Sequence, residues 1–176
     1  TGDYNVGLGY KTLEANTTGT RNIAIGAQAL DAATSESDNI AIGYDALGGA
    51  VNGGEKNVVI GNYAADAITS GDQNVVIGHE ALSSGTLSVS NVAIGYRAMY
   101  AGEGGRNVAI GDLAMGSTTL NSANDNVAIG NAAGQWLTTG DNNIFLGDNA
   151  GGGHTTGIGN IVIGESGMNY QCAGAN

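Results

Sequence analysis

Proline is absent from this 176-residue chain, which holds one cysteine, one phenylalanine and one tryptophan. Cations are also scarce. Five Lys and Arg stand against sixteen Asp and Glu, for a net charge of −11. Each shortage excludes something. A glycine-rich chain without proline, and without glycine at every third position, is not collagen. One cysteine cannot build a disulfide scaffold. Five scattered cations cannot neutralise a phosphate backbone, so nucleic acid is not an expected partner. No apolar run approaches the ~20 residues that span a bilayer, so no membrane insertion is expected in this segment. The chain opens on Thr1 and is expected to be a processed product or a piece of something longer.

What the chain has is glycine, 32 residues, roughly 18% against about 7% in average proteins. The apolar fraction is 41%, and its ordering argues against disorder. One five-residue segment recurs ten times. The copies begin at Asn5, Asn22, Asn39, Asn57, Asn74, Asn91, Asn107, Asn126, Asn143 and Asn160. Typical copies read Asn22-Ile-Ala-Ile-Gly26, Asn74-Val-Val-Ile-Gly78 and Asn126-Val-Ala-Ile-Gly130. Asn and the closing Gly never change, the second position is Val or Ile, and the fourth is Ile or Leu. Steps between copies run from 16 to 19 residues with a mean near 17. Self-similarity of this kind marks a repeat architecture. The third residue after the closing Gly is Ala in eight copies, from Ala29 to Ala150. Leu or Met follows in seven, among them Leu30, Leu82, Met99 and Met168. Polar loops such as Thr17-Thr18-Gly19 and Thr138-Thr139-Gly140 lead into the next copy.

Val-x-Ile is β-branched with period two, which predicts a strand. Glycine then permits a corner, the Ala-Leu segment reads as a second short strand, and the polar loop turns the chain back. Seventeen residues have room for two or three short strands but not for a helix with its loops. The reading is all-β: a parallel β-solenoid of about ten 17-residue coils over residues 1–168. Residues 169–176 form an irregular tail expected to lead into a missing segment. With strands about 4.8 Å apart, ten coils make a rod roughly 45 Å long.

The ten Asn residues sit at a corner. Stacked amides can bond along the rod as a ladder and satisfy turn backbone. A row of ligands for a sugar or cation is the alternative. The residue between Val and Ile is Gly7, Ala24, Ala41, Val59, Val76, Ala93, Ala109, Ala128, Phe145 or Val162, and never polar. If Val and Ile fill the coil, this middle row faces outward. A small apolar row then suits packing against other copies of the chain; the alternative is a row merely left exposed. On this reading, Asp at Ala93 and Ala109 breaks association more than it unfolds the coil.

The Asn-Val-Ala-Ile-Gly-x-x-Ala repeat resembles the head repeats of trimeric autotransporter adhesins. It is also similar to repeats of bacteriophage tail fibres and fibre-like bacterial surface proteins. The resemblance spans residues 5–168. It implies a left-handed parallel β-roll, three chains side by side around one axis, and a location outside the cell or on a virion. Its period of about 17 is longer than the 14 or so of the best-known adhesin head repeat, which favours the fibre branch.

No catalytic constellation emerges. His79 and His154 are far apart in coil number, no His/Cys/Asp spacing suits zinc, and Cys172 lies in the tail as a lone thiol or an interchain disulfide. The chain is read as a non-enzyme with no catalytic residues, no metal and no cofactor. Loop acids such as Glu36, Asp38, Asp72 and Asp125 read as a solvated rim or as weak cation sites. The residue after the closing Gly is Tyr10, Tyr44, His79 or Tyr96 in four copies, and Trp136 lies in a loop. These aromatics are candidate ligand contacts, as sugar-stacking platforms, or else they pack over corners. The expected function is a structural fibre or adhesin component that mediates attachment, with itself and a cell-surface glycan or protein receptor as partners. A functional-amyloid subunit, a single-chain ice- or glycan-binding solenoid and a polysaccharide-degrading β-helix are the rival readings.

Overall fold

Each Asn-Val-x-Ile-Gly segment forms one three-residue strand. The computed structural model describes residues 2–49, 53–119, 121–153 and 155–167. His154, Met168, Cys172 and the 169–176 tail lie outside the described residues. The strands are β1 (Val6–Leu8), β2 (Ile23–Ile25), β3 (Ile40–Ile42), β4 (Val58–Ile60), β5 (Val75–Ile77), β6 (Val92–Ile94), β7 (Val108–Ile110), β8 (Val127–Ile129), β9 (Ile144–Leu146) and β10 (Ile161–Ile163). They form one parallel sheet in chain order. Like pairs with like: Ile23 lies beside Ile40, and Ala93 beside Ala109. The chain is a parallel β-solenoid with about nine coils between its first and last strands, and no helix occurs among the described residues. Unequal steps leave the register intact. Val108 pairs with Val127 across 19 residues as cleanly as Val92 pairs with Val108 across 16. The surplus is taken up in the polar loops.

Glycine at the end of the strand is a steric requirement. These residues hold φ between +120° and +143°, open to glycine and strained for other residues. A Cβ on Gly78 would also lie 2.3 Å from the Gly95 carbonyl oxygen of the next coil.

The Ala-Leu segment is not a second strand. Among the described residues, the second and fourth residues after each closing Gly are left-handed, as is the residue before each Asn. Where these are not glycine, φ lies between 47° and 64°. Leu30, Leu47, Leu82, Met99 and Met115 all adopt this conformation, which costs an L-residue about 1–2 kcal/mol. All five are fully buried, and burying a side chain of that size returns about 1.5–3 kcal/mol. Burial therefore sustains the turn. Turns bond coil to coil as the strands do: Leu30 N–H donates to the Ala46 carbonyl, and Leu82 N–H to that of Ala98.

The two faces of the strand are the reverse of the sequence expectation. The middle row, Ala24, Ala41, Val59, Val76, Ala93, Ala109, Ala128, Phe145 and Val162, is buried inside the coil by the chain itself. It is therefore not an outward face available to a second chain. The flanking Val, Ile and Leu residues face out and stay partly exposed, as at Ile60 and Ile129. The reason is space. A single strand closed by tight turns leaves a narrow lumen, already holding the Ala and Leu columns of the turn. Asp at Ala93 or Ala109 would unfold the coil rather than separate chains.

One coil shows how tightly the lumen is filled. Phe145 replaces the usual Ala or Val, and the positions that elsewhere carry Leu or Met become Gly134 and Gly151. A Cβ on Gly134 or Gly151 would lie 2.8 Å or 2.3 Å from the Phe145 ring. The ring occupies the volume two aliphatic side chains take in other coils. Phe145→Ala is expected to lower unfolding stability by about 3–5 kcal/mol. Gly151→Leu, disruptive by itself, is expected to recover part of that loss when combined with Phe145→Ala. Urea denaturation of the single and double variants checks both expectations.

Candidate functional site

The Asn column is internal and structural in geometry. Asn22, Asn39, Asn57, Asn74, Asn91, Asn107, Asn126, Asn143 and Asn160 are buried, and Asn5 is half-buried. Each Oδ1 from Asn5 to Asn143 accepts the backbone N–H of the Asn in the following coil, at 2.8–3.0 Å. Each Nδ2 in that span donates to a backbone carbonyl three residues before the next Asn, as in Asn74 to Ser88 and Asn143 to Gly157. From Asn57 onward Nδ2 also donates to the Oδ1 below it. These amides have no free capacity facing solvent, so the column is a ladder rather than a row of ligands.

Glu36 interrupts the polar loops differently. It is 2% exposed, and its carboxylate accepts the N–H groups of Thr34, Ser35 and Gly53 at 2.7–3.0 Å. Burial alone pushes its pKa up, but the backbone donors outweigh burial and hold it below the usual glutamate value. At the surface, Arg21 pairs with Asp38 and Arg106 with Asp125 in two-pronged contacts. Exposed pairs of this kind contribute little stability.

The aromatic residues fall into a band on the turn that follows the strand. Tyr44 meets Tyr63 edge-on at 5.2 Å between ring centres, Tyr63 meets His79 at 6.0 Å, and His79 stacks on Tyr96 at 5.9 Å. The Tyr44 hydroxyl donates to the Gln28 side-chain oxygen. Tyr10 stands apart, two coils below Tyr44, with Lys11 over its ring. Trp136 is half-exposed in a loop two coils beyond Tyr96 and takes no part in the band. Tyr63 escaped the sequence reading because Asn62 occupies the column that holds Tyr44, His79 and Tyr96. Tyr63 reaches the band from the next column over. Reading two adjacent columns together would have found it.

Beside this band lies a cleft of about 240 Å³ lined by Tyr63, Asp66, Glu80, Ser83, Arg97 and Tyr100. The repeat places them. Tyr63, Glu80 and Arg97 are the second residue after the closing Gly in three successive coils, and Asp66, Ser83 and Tyr100 are the fifth. The coils on either side carry Gly48 and Gly116 at the fifth position, so that wall ends at both edges. Arg97 donates through Nε to Glu80, and its guanidinium lies over Tyr96 at 5.4 Å and Tyr100 at 5.1 Å. Asp66 Oδ1 is shielded from solvent and meets no donor among the described residues. Burial pushes the Asp66 carboxyl above its ordinary pKa, with the neighbouring Ser83 hydroxyl pulling the other way.

Among the described residues no group of three or more His, Cys, Asp or Glu is placed to hold a metal ion. No described helix is long and apolar enough to cross a membrane.

The Glu36 geometry gives a pH dependence. Its lowered folded-state pKa contributes stability that is complete above about pH 4.3, the ordinary glutamate value, and that disappears as pH falls through the folded value. Glu36→Gln is expected to lower the thermal midpoint at pH 7 and to flatten the acid limb of the stability profile. Thermal melts between pH 3 and pH 7 check it; parallel profiles for the two proteins would refute it. Compared with family models, curated proteins and solved structures, the chain finds no match.

Proposed function

We propose that the chain is a shaft or head segment of a trimeric attachment fibre, a phage tail fibre or a bacterial surface fibre, outside the cell or on a virion. In this reading three left-handed solenoids lie side by side. The observation that carries it is the outer strand face. In all ten strands both flanking residues are Val, Ile or Leu. They form two unbroken apolar rows along the rod, with Val6, Leu8, Ile161 and Ile163 more than half exposed at its ends. A contiguous apolar face of this length is an interaction surface. Its spacing repeats with the coil, so the partner that matches it over the whole length has the same coil spacing. A second copy of the chain satisfies that condition without further assumption.

The interface assignment thus moves from the middle row to the Val and Ile rows that flank it. The resemblance of the repeat to trimeric fibre proteins supplies the number three, the left hand and the extracellular setting. A rod bonded coil to coil along its length suits a mechanical spacer that presents a receptor contact.

Native mass spectrometry tests the assembly. Three chains of 17.4 kDa give about 52 kDa. Ile77→Lys with Ile94→Lys, both on the outer face, is expected to yield a folded species near 17 kDa with an unchanged β-type circular dichroism spectrum. A wild-type chain that runs as a monomer would sink the fibre reading, and a dimer would sink its threefold form.

A further inference from the structure

We propose that the cleft on the turns of the fourth to sixth coils is a binding site for a single neutral sugar ring. Three features carry this. Asp66 Oδ1 is shielded from solvent, next to the cleft, with no donor to satisfy it among the described residues. A buried acceptor left in that state costs free energy, and a ligand hydroxyl supplies the missing proton donor. The lining ring that Arg97 does not cover is Tyr63, with Tyr44 and His79 beside it in the adjoining band. The C–H faces of a pyranose pack against such rings while its hydroxyls reach polar neighbours. The volume of about 240 Å³ is below the ~300–1,000 Å³ of sites for drug-sized ligands, and fits one ring rather than an enclosed chain.

The charges select against other ligands. Arg97 is committed to Glu80 and stacked between Tyr96 and Tyr100. The place a ligand ammonium would take over these rings is therefore filled. Asp66 and Glu80 against one Arg97 leave the cleft net negative, within a chain of net charge −11. An acidic sugar is repelled. A neutral hydroxylated ligand can donate to Asp66 and Glu80, and its ring oxygen or hydroxyls can accept from guanidinium N–H groups not bonded to Glu80. Every lining residue belongs to one chain and to the turn, not to the outer strand face.

As a receptor contact the site rests on the attachment role proposed above; as a binding site it needs one folded chain. The test is a titration of the purified protein with the methyl glycosides of glucose, galactose, mannose and N-acetylglucosamine, and with sialic acid, followed by tyrosine fluorescence and NMR. Saturable millimolar binding of at least one neutral glycoside is expected. Asp66→Ala is expected to weaken it about tenfold or more, the worth of one hydrogen bond to a charged group. Its thermal midpoint should not fall below that of the wild type, whereas a merely structural Asp66 would lower it. Tyr63→Ala should weaken the same glycoside. Absence of saturable binding by every neutral glycoside, binding unchanged in both variants, or tighter binding of sialic acid overturns the proposal. Native mass is recorded on the same samples. A monomer that binds sugar refutes the trimer and keeps the site, and a trimer that binds none refutes the site and keeps the fibre.

Discussion

A single carboxamide per coil, bonded both up and down the rod, sets the conditions for everything else in this fold. Asn Oδ1 takes the backbone N–H at the point where the next strand begins, and Nδ2 takes a carbonyl of the loop that leads into that strand. Strand start and loop end are thereby fixed to each other across neighbouring coils. The loops can then differ by several residues without shifting the pairing of Val over Val. Backbone groups at a buried corner would otherwise lack partners, at a cost comparable to a lost hydrogen bond for each. The closing glycines do the corresponding work at the other end of the strand, by allowing coil-to-coil approach that a Cβ would block.

Inside these limits the lumen is small, and its contents are decided by volume. Three columns meet there: the middle strand residue, the Ala of the turn, and the Leu or Met that follows it. Ala, Leu and Ala fill one coil; Phe145 with Gly134 and Gly151 fills another. The same narrowness turns the large β-branched residues outward. The apolar surface that a globular domain would hide in its own core is displayed here along one side of a rod, which is why association with like chains is the physical resolution offered above.

The sequence carried the repeat, the strands, the register and the Asn ladder on its face, because each depends on residue type at a fixed period. Two things were not legible. Period two in Val-Ala-Ile shows that neighbours point opposite ways but not which way is in. The habit of placing both flanking Val and Ile residues inside fails where the interior has room for only one residue of each strand. The left-handed turn was hidden because Leu and Met disfavour that conformation locally, and only their burial in the assembled coil sustains it. Beside the cleft, Tyr44, His79 and Tyr96 were visible as one column, while Tyr63, Asp66, Ser83 and Tyr100 required knowing how adjacent columns meet.

The ladder and the glycine spine make every coil the same connector, with its upper surface complementary to its own lower surface. Removing or duplicating one whole coil therefore rejoins surfaces that already fit, and changes the rod by about 4.8 Å without creating a new junction. Length in such a protein is a counted quantity. It can be adjusted in evolution by recombination between near-identical segments, while a cleft confined to three adjacent coils is carried along unaltered at whatever height the count sets.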